Sequence, residues 1–372
     1  MKKILILVIA LGCSFFNLEG QSFGLIQKTT LVQRLSETSG LIVVGGKFFT
    51  HGDSGDEPKL YELDTATGNI IRTVFIPGSM NKDWEEITQD DSWVYVGDFG
   101  NNAGMRKDLV IYKIRKNLLS LDTINEVDTI QFGYEQQVDF SNRTFQTNFD
   151  AEAMIATDTF LYIFSKNWGN FKSYLYKCPK VKGKYQLKVI DSFDANGLIT
   201  GACLSQITGK LMLCGYTFNS GFVLECDSFL HSHVKKKFNR QEFPTLGNIQ
   251  IEAIAEVSKD RYFLTSEQLN SDAALLELVK IKTSGLDGII QKRTSVNIHQ
   301  SSNSKVFHWN ANIGIRNLEI YNMSQQLLFM KEINNTNQGE IDLSLLESGL
   351  YVLKGISGCG EILKIKFIVK DE

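Results

Sequence analysis

Three acidic stretches share a skeleton. KDWEEITQD (residues 82–90) and FDAEAMIATD (149–158) each place an Asp, a Glu two positions on, and an apolar residue two further. IQIEAIAEVSKD (249–260) keeps the Glu and the apolar residue. Glu85, Glu152 and Glu252 therefore each head an apolar run. Carboxylates brought together resist ionising together unless something compensates. A hard cation is the simplest compensator. Calcium accepts about six to eight oxygen ligands, whereas magnesium demands a tighter octahedron. The expected metal set is Glu85, Glu152 and Glu252, with Asp98 and Asn102 from GDFGNNAGMRKD (97–108). The competing reading makes each Glu a cap on a strand-head amide or a partner of Lys166. Lys166, Tyr216 and Glu267 are the expected ligand contacts, with Lys166 suited to an anionic group. His51 and Asp53, in THGDSGDEP (50–58), are the candidate catalytic bases. A histidine titrates near neutrality, although a plain turn histidine fits the same stretch. HGDSG lacks the GxSxG nucleophile elbow, which excludes that class of serine hydrolase. Trp84 and Trp168 could stack a sugar or simply pack.

These residues need strands to hold them. Prolines number only four, and short runs rich in Val, Ile, Phe and Tyr alternate with turns such as TATGN (65–69). The pattern is strand, turn, strand throughout. It repeats with a period of about fifty residues, as propeller blades do. Inner-strand heads read TSGLIVV (38–44), WEEITQD (84–90), AEAMIAT (151–157), ITGACLS (199–205) and IEAIAEV (251–257). The head positions are Ser39, Glu85, Glu152, Thr200 and Glu252. The next residue is small in four of the five: Gly40, Ala153, Gly201 and Ala253. Second strands end in a small residue followed by Asp53, Asp98, Lys166, Tyr216 or Glu267. In a blade, the first strand begins where the second ends, so both sets converge at the channel mouth. The expected fold is an all-β propeller of five blades, a sixth left open, closed by the strand at 24–33. A small immunoglobulin-like sandwich follows. The boundaries expected are a signal peptide at 1–20, propeller at 21–285, linker at 286–306 and sandwich at 307–372.

Charge and cysteine content narrow the class. The formal net charge of −3 argues against nucleic acid. HVKKKFNR (233–240) is the one basic run, read as a solvated strand or loop. MKKILILVIALGC is a secretory leader too short to span a membrane. Cleavage after Gly20 is the expected route, with a lipid anchor at Cys13 as the alternative. Cys178, Cys203, Cys214, Cys226 and Cys359 lack CxxC spacing, which disfavours zinc. Buried free thiols are expected, with a disulfide among Cys203, Cys214 and Cys226 as the alternative.

Two resemblances add to this. HGDSGDEPKLYELDTATGNIIRTVFIPGSMNKDWEEI, with VYVGDFGNNAGMRKDLVIYKI, resembles a family of exported bacterial propellers related to the phytase-like and esterase-like propellers. The likeness is best over residues 36–170 and fades in the fourth unit, where Thr200 replaces the acidic head. It implies a propeller and, by analogy, a central divalent cation. LEIYNMSQQLL, IDLSLLESGLYVLKG and KIKFIVK resemble the C-terminal sorting domain of the type IX secretion system of Bacteroidota. The usual PNP opening is replaced by IHQSSNSKV. This implies the type IX machinery as a partner, and release or attachment at the outer surface.

Two functions remain open at this level. One is a monomeric, non-catalytic surface propeller that binds a small molecule, glycan or protein across the mouth. The other is a calcium-dependent hydrolase of a phosphoester, ester or lactone, in which the ion polarises the substrate oxygen and His51 or Asp53 is the base.

Overall fold

The computed structural model describes residues 21–217, 220–227, 229, 237–246, 249–268, 272–282, 296–300, 305–323, 326–357 and 362–369. The leader, Cys13, Cys359, most of the linker and residues 233–236 of the basic run lie outside them. The chain divides into two compact units, Met1–Asp287 and Gly288–Glu372.

Among the described residues the first unit contains five antiparallel sheets in chain order. The first sheet holds Thr38–Val44, Lys47–Gly52, Lys59–Leu63 and Ile70–Phe75. The second holds Trp84–Gln89, Trp93–Asp98, Leu109–Arg115 and Asp128–Tyr134. The third holds Ala151–Ala156, Phe160–Ser165, Lys172–Pro179 and Val189–Asp194. The fourth holds Leu198–Leu204, Leu211–Tyr216, Gly221–Cys226 and Asn239–Phe243. The fifth holds Ile251–Ser258, Arg261–Ser266 and Ala274–Lys282. Its outer strand is Gln21–Thr30, from the other end of the unit. The first strand of each sheet lies against the first strand of the next, and the fifth returns to the first. This closed order is the propeller, and pairing the two ends of the unit leaves no open seam in the ring. The third sheet also lends Gly183–Leu187, which adds in parallel to the outer edge of the second.

Packing follows from this order. Each interface between adjacent sheets has its own apolar cluster. Phe49, Leu60 and Val96 fill the first interface, and Tyr95, Ile111 and Tyr176 the second. Phe164 and Leu213 fill the third, Met212 and Leu276 the fourth, and Leu41 and Phe263 close the ring. Strands enclosed on both sides lose the alternation of a half-exposed sheet: all six residues of Ala151–Ala156 are buried. Small residues let the inner strands meet. A β-carbon at Gly40, whose φ is +60°, would strike the His51 ring and the Ile87 amide.

Every first strand carries one extra, unpaired residue near its head. It is Glu85 in the second sheet, Glu152 in the third, Thr200 in the fourth and Glu252 in the fifth. In the first sheet the break falls at Gly40, one place after Ser39. A bulge leaves the ladder and re-aims its side chain. That local irregularity carries the three glutamates to the mouth.

Cys178, Cys203 and Cys214 are free thiols. The register explains this: Cys203 faces Met212, while Cys226 faces Leu211. Among the described residues no helix is long and apolar enough to cross a membrane.

In the second unit the described strands share one hydrogen-bonded order. Val306–Asn322 pairs through its first half with Val296–Gln300 and through its second half with Gly349–Ser357. Leu327–Asp342 runs beside both halves, and Ile362–Val369 adds to Gly349–Ser357. Register shifts around Ile315 mark where the long strand changes partner. Phe307, Trp309, Leu318, Leu353 and Phe367 form its core.

Candidate functional site

Bulges and strand ends meet at one face of the propeller. Lys166 follows the second strand of the third sheet and is 6% exposed. Its charge acts on Asp53, Asp83, Glu85, Asp150, Glu152, Glu252 and Glu267. The mouth is therefore a crowd of carboxylates with a lysine among them. Glu85, Glu152 and Glu252 are 4%, 2% and 4% exposed.

The crowd divides into two parts. Lys166 Nζ lies 3.1 Å from Glu152 Oε1. Its ammonium also lies 5.0 Å from the Trp168 ring and 5.4 Å from the Tyr216 ring. Burial alone would depress this ammonium, but Glu152, Tyr216 and Glu252 hold it well above the usual lysine range. Gln250 Nε2 donates to Glu252 Oε1 (3.3 Å) and Glu267 Oε2 (3.0 Å). Asp150 has both oxygens in use, accepting from the Asn101 amide at 2.5 Å and Trp168 Nε1 at 2.8 Å.

On the other side, Asp53, Asp83 and Glu85 offer carboxylate oxygens that all lie within 4.8 Å of one another. Asn81 builds this proximity. Its Nδ2 donates to the carbonyls of Gly52 (3.0 Å) and Asp53 (2.9 Å), and its Oδ1 accepts from the Trp84 amide (3.1 Å). The first sheet is thereby tied to the approach of the second. No positively charged side chain among the described residues pairs with the Glu85 carboxylate. A β-carbon at Gly100 would strike Glu85 and Asp83, so glycine keeps that space open. Burial, and then Asp53, push the Glu85 carboxyl well above its ordinary range. Burial and Asp83 push Asp53 up to about 7, and burial and Asp150 push Asp83 to about 6. A groove of about 460 Å³, lined by Arg34, Glu37, Asp53 and Asp56 among others, leads to Asp53.

Several expected ligands are placed elsewhere or otherwise engaged. Asp98 pairs with Arg106 at 2.9 Å and accepts from the Asp83 amide, so it braces the acidic side from behind. Asn102 is half-buried in its loop, where its backbone carbonyl accepts from the Phe145 amide at 3.2 Å. His51 is buried inside the propeller. It follows Phe49 by two positions, so strand alternation turns both side chains into the interface between the first and second sheets. Its ring is fully buried edge-on to Trp84, with centroids 5.6 Å apart, and Nδ1 lies 3.1 Å from the Gly52 carbonyl. Burial lowers it to about 4, so it is neutral at ordinary pH. Trp84 is likewise core rather than rim, whereas Trp168 does stand beside Lys166.

Sequence reasoning passed over four residues. Asp83 and Asp150 are the leading residues of the D-x-E skeleton, visible but not assigned. Asn81 carries no signal by type. Glu86 stands where the other units have a small residue, and that exception was its signal. It is 1% exposed. Its carboxylate accepts from its neighbour Ile87 N at 3.0 Å and from Ala202 N of the fourth sheet at 2.8 Å. The Met154 amide of the third sheet also donates to it. A single side chain thus joins three sheets near the axis.

The two hydroxyl heads also have a role. Ser39 Oγ donates to the Glu85 carbonyl of the next sheet at 2.7 Å, and Thr200 Oγ1 donates to the Ile251 carbonyl of the next. They are tethers between sheets, where the other heads are acidic.

Fold and site together define a β-propeller with an acidic channel mouth. Residues 293–370 match the family model of the secretion system C-terminal sorting domain, so the chain carries such a domain at its end. That domain marks it as a secreted or cell-surface protein of the type IX route. Among curated proteins none matches the chain. Among solved structures it is similar to a glucose dehydrogenase, at 10% identity and a TM-score of 0.42, over 70% of this chain and 100% of that one. It is also similar to a hypothetical protein from Leishmania major, at 11% identity and a TM-score of 0.41, over 70% and 92%. A third is the periplasmic gluconolactonase of Pseudomonas aeruginosa, at 9% identity and a TM-score of 0.32, over 90% and 94%.

Proposed function

We propose that this chain is an exported propeller that binds a ligand at its channel mouth with the help of a divalent cation held by Asp53, Asp83 and Glu85. The observation that carries the reading is the meeting of these three carboxylates within 4.8 Å, one of them buried. Hard carboxylate oxygens suit calcium, whose remaining positions would go to water, backbone carbonyls or the ligand. When bound, the ion would supply positive charge for an oxygen-bearing ligand such as a glycan or a small acid. The groove beside Asp53 would give that ligand access.

Binding is favoured over hydrolysis because the histidine expected as base is buried in the core, where burial lowers it to about 4 and leaves it a weak proton acceptor. Asp53, pushed up to about 7, is the group that would serve as base if the mouth also turned over a phosphoester, ester or lactone. Calorimetric titration of calcium into the chelator-treated chain, with melting curves alongside, tests the reading. Saturable binding that Asp83→Asn removes is the expected result. Absence of binding would overturn the cation and leave the carboxylates as strand-head partners.

A further inference from the structure

We infer that the ligand of this mouth is an oligosaccharide, and that Phe145 holds one of its rings at the rim. The inference rests on the proposed ligand site at the mouth and names the class of ligand it takes.

Phe145 occupies a place that does not suit its type. The Gln146 amide donates to the Arg143 carbonyl at 2.8 Å and closes a turn in which Phe145 is the third residue. Its φ is +57°. Bulky side chains rarely adopt that backbone, and the third place of such a turn usually goes to glycine or asparagine. The residue is also 45% exposed. Phe171 has a similar φ of +55°, but it is partly buried against Trp168, Leu198 and Tyr216, so packing accounts for it. Phe145 combines a strained backbone with an exposed apolar ring, and glycine would remove both. Strain that the surroundings hold in place clusters at ligand sites.

The surroundings do hold it, and they hold it at the mouth. The Phe145 amide donates to the Asn102 carbonyl at 3.2 Å, and the Arg143 amide to the Ala103 carbonyl at 2.8 Å. On the other side of the turn the Trp168 amide donates to the Thr147 carbonyl at 3.0 Å. The Phe145 ring stands edge-on to Trp168, with centroids 4.8 Å apart. Trp168 in turn borders Lys166 and bonds Asp150 through Nε1. Gly100, which faces Glu85 and Asp83, lies two residues before Asn102. At most about 7 Å of backbone therefore separates the acidic side from the carbonyl that holds Phe145.

The chemistry of these parts selects a sugar. Trp168 is 7% exposed and too enclosed to stack a ring itself, and Phe145 presents the open aromatic surface beside it. A sugar ring has an apolar C–H face for such a surface, and hydroxyl oxygens for a hard cation. Beside the turn, a cleft of about 420 Å³ is lined by Gln136, Arg143, Gln146 and Asn148 among others. Their amide and guanidinium groups donate to hydroxyl oxygens. A small acid has no apolar face to cover the ring. Cation, ring and cleft are separate places, so the ligand has more than one sugar unit.

The experiment screens the full chain on an array of defined neutral oligosaccharides, in calcium and in chelator. The glycans bound are then titrated into Phe145→Gly, Phe145→Asn and Phe145→Tyr, with calcium titrated into wild type alongside. Wild type is expected to bind part of the array. The Gly and Asn variants, which relieve the backbone, should melt close to wild type and bind at least about tenfold more weakly. The Tyr variant, which keeps the ring, should bind as wild type does. Equal binding by wild type and the Gly variant would overturn the inference, as would a loss in the Tyr variant as deep as in the Gly variant. Clearly lower melting of both the Gly and Asn variants would also overturn it, because Phe145 would then be packing for Trp168. No glycan bound, with calcium bound, would overturn the inference and leave the proposed cation standing. Glycan binding that needs Phe145, with no calcium bound, would overturn the cation and leave the inference standing. Neither glycan nor calcium bound would overturn both.

Discussion

The two sides of the mouth are built from the same parts and end in different states. Both use a bulge glutamate, Glu85 or Glu152, with an aspartate two residues before it. At Glu152 the following strand end supplies Lys166, and the paired aspartate is consumed by Asn101 and Trp168. At Glu85 the corresponding strand end supplies Asp98, which is already paired with Arg106. Its leading aspartate, Asp83, instead faces Asp53 across the boundary with the first sheet. One repeat unit thus gives a carboxylate paired with lysine in one place and carboxylates that face one another in another. The residue at the end of the second strand decides which.

The largest expected effect would remove an acceptor shared by three sheets. Glu86→Leu leaves amides from three sheets without their acceptor, at a cost of about 3–5 kcal/mol by the usual cost of breaking a buried polar network. A denaturant titration should show it, with Glu86→Gln costing less because its single amide oxygen still accepts at one of the two oxygen positions. Equal losses from both variants would count against Glu86 as the common acceptor.

The next test separates the sides. Calcium at about a hundredfold over its dissociation constant should stabilise wild type by about 2.7 kcal/mol. Asp83→Asn should lose most of this increment and Glu252→Gln should keep most of it. Melting curves with and without calcium read both. The reverse ranking would move the cation to the Lys166 side.

Acidity gives a smaller effect of definite sign. Asp53 and Glu252 have folded-state values raised to about 7, above their ordinary values near 4. Between those limits the folded chain holds protons that the unfolded chain releases. Stability therefore falls as pH rises through that window. In chelator the chain should melt higher at about pH 5.5 than at about pH 8, and calcium should help more at the higher pH, where the carboxylates are ionised. A flat profile in chelator would argue that these groups are not held protonated.

The smallest effect is at a tether. Thr200→Val removes one hydrogen bond between the fourth and fifth sheets and should cost about 1 kcal/mol. Its calcium increment should match wild type, since Thr200 replaces an acidic head without joining the acidic side. A lost increment would mean that spacing between sheets controls the cation.

Much of this was legible in the chain. The repeat of heads and second-strand ends placed the strands, and the sorting tail was readable from its strand segments. His51 takes the second-strand position that Val96 takes in the next unit, and that position, like Phe49 two residues earlier, faces the apolar interface between the sheets. Asp98 pairs with Arg106, which lies in a loop whose return path no repeat predicts.

By itself the sequence determined the all-β propeller, the sorting tail and the residue types at the mouth. These follow from local periodicity and composition, which each segment carries alone. Only the tertiary structure decided which carboxylate meets which partner. That pairing depends on the bulge register and on loops from different sheets, such as Asn81 between the first and second and Asn101 between the second and third. A few ångströms of placement there determine whether a buried carboxylate is neutralised by lysine or left facing two others.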